Sequence, residues 1–576
     1  MMPSPRLYPI PNLRERDMHR KVVVVIVWVA AVVVSNGTDA NGQPREEDSA
    51  QKPATVADLV IRNGLIVDGS GRPGVGGDVA LTAGRITAVG PDLKLTARET
   101  IDARGLVVCP GFIDLHSHAD FAILKHRAAE NYIRQGATTL VCGNCGMSPP
   151  DAAEFFAKLR DGGTGPNIAF LIGHGEVRRT AMGTENVAPT AEQLERMKQL
   201  VRKGMEAGAV GMSTGLTYSP SAYGKTDELI ALCKELAPFH GFYATHMRDE
   251  GTNVFEALDE ALQIGREAGV PVQISHHKIS AASVFGATKL TLRKIDEARA
   301  AGQDVTLDQY PYGAGSGFLS FYVPQASVSG GLEAYRKRIA DPKERAAIVA
   351  GVEDVFKKKL FEAGRSPENP KDTAAALTRV QVAKAPHDPK LSGKNLTEIL
   401  TARGVEVTVH EAAEVLVDLV AHNAMGINHT LDDSPGGDVE RVMTHPLTSI
   451  ASDGTVFEFG KDNPHPRSYG CFPRVLGLYV RERKVLKLEE AIYKMTSLPA
   501  QRLGWKQRGT LAPGNWADVV VFDPKTIAEQ ATFIDPHRYS VGVAHVLIGG
   551  KFALRDGKLT GEMLGRPLVR DEAEHK

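Results

Sequence analysis

His116-Ser117-His118 follows an apolar run entered at Pro110-Gly111-Phe112-Ile113-Asp114. In an extended strand residues i and i+2 share a face, so the two imidazoles aim at one place, an arrangement that suits a metal. Asp114 and Asp120 stand near enough in sequence to orient them. Four more positions carry ligand or proton-transfer side chains in similar settings. Cys145 lies in Gly143-Asn144-Cys145-Gly146, His246 in Ala244-Thr245-His246-Met247, His276 in Ile274-Ser275-His276-His277-Lys278, and Asp453 in Ala451-Ser452-Asp453-Gly454. Cys145, His246 and His276 together make a three-ligand site with room for a water, the arrangement of a catalytic rather than a structural zinc. Asp453 is a carboxylate able to take a proton from an activated water and return it to a leaving amine. Each residue alone has a plainer reading: a lone buried cysteine is usually an inert core thiol, a histidine at a strand end is usually a hydrogen-bonded core residue, and Ser-Asp-Gly is a common turn. Their joint placement favours the metal.

The elements that must position them read as alternating strands and helices. Eight apolar runs cover residues 106–118, 137–146, 167–175, 209–215, 242–247, 270–278, 304–312 and 447–454. Most are followed by amphipathic stretches, such as 191–207 and 254–267, with apolar residues at three- and four-residue spacing. That alternation predicts an α/β fold with a parallel sheet, and eight units predict a closed, TIM-like (β/α)8 barrel. The residues at the C-terminal ends of these runs are His116/His118, Cys145, His174, Ser213/Thr214, His246, His276, Asp308 and Asp453. This is the end at which barrel enzymes place their chemistry. About 140 residues separate Asp308 from Asp453, where a crossover needs a few tens. A helical insertion at about 325–440 is expected, packed beside or over the barrel mouth.

Residues 58–68 read as two short strands hinged at Asn63-Gly64, residues 78–90 repeat the pattern around Ala83-Gly84, and 516–523 and 546–558 are again strand-like. The two ends are expected to join into one small β-sandwich domain, built from 56–108 and 505–570, beside a catalytic barrel spanning 109–504. Ahead of it, His19-Arg20-Lys21 precedes the aliphatic segment 22–34. That segment is too short to span a bilayer comfortably and has the form of a secretory signal, with Thr38-Asp39-Ala40 as a cleavage site and Met18 as an alternative start. Residues 1–40 are therefore expected to be a signal region and 41–55 a linker. The expected location is periplasmic or secreted if that segment is a signal and cytoplasmic otherwise, with no stable membrane insertion after cleavage. A formal net charge of −1 over 576 residues offers no electrostatic case for nucleic acid. Five widely spaced cysteines argue against a disulfide framework in a chain this long.

Several segments, in order, carry a resemblance: PGFIDLHSHAD (110–120), GNCG (143–146), GLTYSP (215–220), YATHMRDEG (243–251), ISHHK (274–278), DQYPYGAGS (308–316), ASDG (451–454), and HPR with FPRVLG (465–477). From about residue 58 to 566 the chain resembles the amidohydrolase superfamily and, within it, the N-acyl-D-amino-acid deacylases. The resemblance implies zinc-dependent hydrolysis of the amide bond of small-molecule N-acyl-D-amino acids, giving a carboxylate and a D-amino acid. It implies a tight zinc on Cys145, His246 and His276, a second, weaker position on His116, His118 and Cys145, and Asp453 as acid/base. Arg467 and Lys278 resemble the groups that hold the substrate carboxylate, with Tyr218, Tyr310 and Ser316 lining the pocket. Many superfamily members bridge two metals with a carboxylated lysine; none stands at the fourth strand end here, and Cys145 matches the cysteine that takes that part. The competing readings are a hydantoinase- or dihydroorotase-like cyclic amidase, a D-dipeptidase, and a non-catalytic binding protein on the same fold. The absent lysine, with Cys145 and Arg467 present, speaks against the cyclic amidase, and the intact ligand set against the binding protein. The loop 428–438 and the insertion are expected to shape the acyl and side-chain pockets.

Overall fold

A segment such as Asn167–Gly173, NIAFLIG, is buried at every position. Such runs are stable only as interior strands covered on both faces. A computed structural model of the chain, describing residues 56–569, assembles eight of them into one parallel sheet in chain order: Phe112–Asp114, Ala137–Cys142, Asn167–Gly173, Gly211–Gly215, Phe242–His246, Val272–Ile274, Val305–Gln309 and Thr448–Ile450. The first and last strands meet at a seam. Ser117 and Gly454 form a parallel bridge, the His118 N–H donates to the Gly454 carbonyl at 2.7 Å, and the Asp453 N–H donates to the His116 carbonyl at 2.7 Å. The (β/α)8 barrel is thus closed through the backbone of its own candidate site residues. The covering helices start and stop where local chemistry dictates. Thr190 and Gln193 form a capping box on Ala191–Glu206, and Gly269 in the left-handed region ends Val254–Ala268.

The chain ends join as expected. Val107–Pro110 pairs antiparallel with Val519–Phe522, and nine strands from both termini form one hydrogen-bonded sheet around a core that includes Ile61, Val79, Ile101, Val519 and Leu547. Two local expectations change. The run 106–118 is two strands, not one: it breaks at Gly111, where a Cβ would run into the Thr138 side chain, and its two halves enter different sheets. Residues 58–68 are not a hairpin. Ala57–Ile66 is a single strand with a bulge between Ile61 and Gly64. Asn63 takes φ 59°, but the chain continues because Asp78 on the neighbouring strand accepts the Asn63 N–H at 2.9 Å and the Arg62 guanidinium at 2.7 Å.

The insertion between the seventh and eighth barrel strands is not purely helical. Gly315–Phe318, Val380–Lys384 and Met425–Asn428 form a three-stranded antiparallel sheet. With helices such as Pro342–Lys359 and Val409–Ala421 it encloses its own core, which includes Tyr322, Val352, Phe356 and Leu416. The signal region, the alternative start Met18 and the linker expected over 1–55 lie outside the described residues. Among those described, no helix is long and apolar enough to cross a membrane.

Candidate metal centre and active site

Cys145 is presented by a loop that turns back on itself, with Gly143 at φ 79°, Cys145 at 53° and Gly146 at 73°. Its sulfur lies 3.4 Å from His116 Nε2, 3.4 Å from His276 Nε2 and 3.8 Å from His246 Nδ1. A tetrahedral zinc with bonds of about 2.0–2.3 Å holds its ligand atoms roughly 3.5 Å apart, so spacing and donor chemistry both fit that ion. His116, Cys145, His276 and Asp453 each offer one ligand atom, all within 4.8 Å of one another. His118 Nε2 stands 3.1 Å from Asp453 Oδ1. All six residues singled out as ligands and acid/base therefore converge, with Cys145 at the centre. Burial alone would raise the Cys145 pKa, but the His116 and His276 imidazoles outweigh it and hold the thiol well below its ordinary value. Burial drives Cys109, Cys142 and Cys233 the opposite way.

The residues that orient this set are not those expected. His116 Nδ1 faces Asp308 Oδ1 at 3.2 Å; the same oxygen accepts the His276 N–H at 2.7 Å, and Oδ2 accepts from Gln273 at 2.7 Å. Asp114 instead accepts the Ser452 N–H at 2.9 Å and the Ser452 hydroxyl at 2.5 Å. It ties the first strand to the eighth rather than an imidazole to a metal. Asp120 accepts the Gly143 N–H at 3.2 Å and so holds the cysteine loop. His246 Nε2 lies 2.9 Å from Thr217 Oγ1. Glu250, which the sequence reading passed over, sits behind both other histidines: 3.0 Å from His276 Nδ1 and 3.5 Å from His246 Nε2. Its one sequence signal is its place four residues after His246. Of the remaining strand-end residues, His174 is buried between Ser221 and Glu228, 2.8 Å from each, and Ser213 donates to the Gly143 carbonyl at 2.5 Å, supporting the cysteine loop.

Cys145, His276 and Asp453 all occupy the left-handed region, at φ 53°, 36° and 49°. Non-glycine residues seldom adopt it and pay strain to do so, a pattern that clusters at functional sites.

Arg467 Nη1 donates to Asp453 Oδ2 at 2.7 Å and Nη2 to the Ser316 carbonyl at 3.1 Å, with the guanidinium 4.7 Å from the Tyr310 ring centre. Its backbone N–H donates to His465 Nδ1 at 3.0 Å. Lys278, expected on a substrate carboxylate, donates to Glu250 at 2.7 Å and to the His276 carbonyl at 3.0 Å, and its Nζ lies 2.8 Å from His276 Nδ1. Tyr218 packs edge-on against His246 at 5.1 Å. The buried Tyr310 hydroxyl has no hydrogen-bond partner in the structure. Tyr218, Tyr310, Ser316, Lys278 and Arg467 all line one cavity with Cys145 and Asp453, completed from the insertion by Phe318, Met425 and Asn428.

Among known proteins, residues 99–553 match the amidohydrolase family. The chain belongs to that family. It is 35% identical over 547 residues to a D-aminoacylase of Alcaligenes xylosoxydans xylosoxydans, covering 91% of this chain and 100% of the relative. To the N-acyl-D-glutamate deacylase of the same organism it is 34% identical over 515 residues, covering 86% and 93%. The crystal structure of an N-acyl-D-glutamate deacylase from Bordetella bronchiseptica, complexed with zinc and a phosphonate mimic of the tetrahedral intermediate, superposes with a TM-score of 0.74 at 33% identity. That match covers 89% of this chain and 100% of the other. This amidohydrolase ends its fourth barrel strand in Ser213-Thr214-Gly215, with no lysine to bridge two metals, and sets Cys145 among the histidines instead.

Proposed function

We propose that this amidohydrolase is a zinc-dependent deacylase that hydrolyses the amide bond of N-acyl-D-amino acids to a carboxylate and a D-amino acid. The observation that carries the reading is one sulfur, Cys145 Sγ, within 3.8 Å of three imidazoles at the barrel mouth, in a chain akin to enzymes named for that reaction. Cys145, His246 and His276 would hold the tight zinc, and His116 and His118 a second, weaker position with the same sulfur. When bound, zinc polarises the acyl carbonyl and acidifies the attacking water.

The chain's own residues supply the rest. Asp453 takes the proton of the attacking water on a carboxylate oxygen and delivers it to the amine nitrogen as the C–N bond breaks. His118, 3.1 Å from Asp453 Oδ1, and Arg467, 2.7 Å from Oδ2, hold that carboxylate in one orientation. Arg467 also presents guanidinium N–H groups toward the cavity, and its planar fork pairs well with a substrate carboxylate. Tyr310 offers an unpaired hydroxyl beside it. Lys278 acts through Glu250, fixing the face that His276 turns to Cys145.

Asp453→Asn is the direct test. Turnover is expected to fall by about 10³-fold or more, with zinc content near wild type by elemental analysis; retained activity overturns the assignment. A panel of N-acetyl-D- and N-acetyl-L-amino acids, hydantoin, dihydroorotate and D-dipeptides is expected to show turnover of the D-acyl compounds, and hydrolysis of the cyclic amides alone would shift the reading to a cyclic amidase. The basic and aliphatic segment at 19–34 supports export of the enzyme, which cell fractionation tests.

A further inference from the structure

A second cavity opens from the same sulfur. Its volume is about 620 Å³, and its walls include Cys145, Met147, Pro149, Val328, Leu332 and Val420, within the roughly 300–1,000 Å³ usual for small-molecule sites. The first cavity and this one share Phe121, Cys145, Met147, Tyr218 and Phe318, so the two are lobes of one space that meet at the metal ligands. Phe121 stands at the junction, stacked on His118 with ring centres 5.2 Å apart, and remains 48% exposed. The groove also carries polar groups, Asp120, Ser148, Ser219, Ser221, Ser320 and Asn423, and the Glu176–Arg179 pair, with Arg179 half-exposed.

Topology says which part of a substrate lies there. Arg467, Tyr310 and Ser316 follow the seventh and eighth barrel strands. The groove is walled by the segments after the first four strands, closed over by the insertion. Arg467, Tyr310 and Ser316 all line the first lobe, and none of them lines the groove. A substrate whose carboxylate is held by Arg467 and whose amide lies over Cys145 therefore sends its acyl group toward Met147 and Leu332.

We propose that this groove binds a linear aliphatic acyl chain, and that the preferred substrates are D-amino acids N-acylated with chains of medium length, about eight carbons, rather than with acetyl. This rests on the deacylase reading and extends it to the acyl side. Each methylene fully withdrawn from water contributes roughly a fourfold gain; six partly buried methylenes, less the ordering of the chain, still leave at least a tenfold preference.

The test is kcat/KM for acetyl, butanoyl, octanoyl and dodecanoyl derivatives of one D-amino acid, the one best turned over as its acetyl form, each below its micelle concentration. The expected result is an octanoyl value at least tenfold above acetyl. Leu332→Asp, which puts a charge in the groove, and Leu332→Trp, which fills it, are each expected to lower the octanoyl-to-acetyl ratio at least fivefold. The ratio is taken within one variant, so a partly unfolded preparation cancels. A series that is flat or falls with length overturns the proposal while leaving the deacylase reading intact, as does an unchanged ratio in a Leu332 variant that melts like wild type. Absence of hydrolysis across the whole series removes the deacylase reading, and this one with it.

Discussion

Glu250 is fully buried with an ammonium and two imidazoles around one carboxylate. Burial raises its pKa, but His246, Lys278 and His276 outweigh that and hold it well below the usual carboxylate range. A carboxylate so placed would fix which ring nitrogen each histidine turns to a metal, and groups in that position commonly contribute 10–100-fold in metal affinity. Glu250→Gln is therefore expected to weaken zinc binding by about that factor in a chelator competition, with activity recovered in part by excess zinc. The six candidate ligand and acid/base positions were legible in the sequence, because each ends an apolar run and barrels put chemistry there. Glu250 and Thr217 were not, and Asp308 stood out only as a strand-end residue, without its partners. A carboxylate's partners are set by strand register, and Asp308 serves His116 and His276 only because the seventh strand lies where both can reach it. Lys278 lines the cavity and is also paired with the buried Glu250, a partner that the sequence did not show.

At the scale of elements, the cysteine loop depends on a glycine. A Cβ at Gly143 would run into the Leu171 carbonyl, and φ there is +79°. Gly143→Ala is expected to destabilise the fold by about 1–3 kcal/mol, read as a lower melting temperature, and to displace Cys145 enough to lose zinc. A second element carries a buried cation. Lys494, on the helix Leu488–Met495, donates to the carbonyls of His445 and Thr448, and burial pulls its pKa from 10.5 down to about 8. The folded value lies below the unfolded one, so the unfolded chain binds more protons between pH 8 and 10.5 and stability rises with pH across that window. Against Lys494→Met, which removes the charge, wild type is expected to gain stability from pH 8 to 10.5, on the order of 3 kcal/mol at most. Denaturant melts of both at several pH values check this. Elements misread from sequence share a cause. Asn63-Gly64 supplies a left-handed residue, and the same local signal serves a hairpin or a bulge; partner strands outside the segment decide. Two of the three strands of the insertion's sheet, GSGF and MGIN, are short and glycine-containing, with no alternation to betray them.

At the scale of the whole molecule, a metal bound at this site would be coupled to the fold. Histidines, a thiolate and a carboxylate are packed within a few ångströms, and an ion that binds this arrangement but not the unfolded chain stabilises the fold by mass action. Stripping the protein with a chelator is expected to abolish turnover and lower the melting temperature, and zinc is expected to restore both. An unchanged melting temperature would separate catalysis from stability. The joined chain ends give the barrel a base in which Val519–Phe522 lies against Val107–Pro110, so strands from the last part of the sequence brace the first.

The seam at Ser117 and Gly454 bears on how the protein is born. Residues 116 and 453, hydrogen-bonded through their backbones, are more than three hundred positions apart, so a ribosome must release most of the chain before they can meet. Contacts of such long range slow folding, since loop closure precedes any reward. Zinc on Cys145, His246 and His276, which follow three strands inside that span, would act as a clasp on the newborn barrel before its seam closes, and its supply during synthesis is expected to govern the yield of folded enzyme as well as its activity.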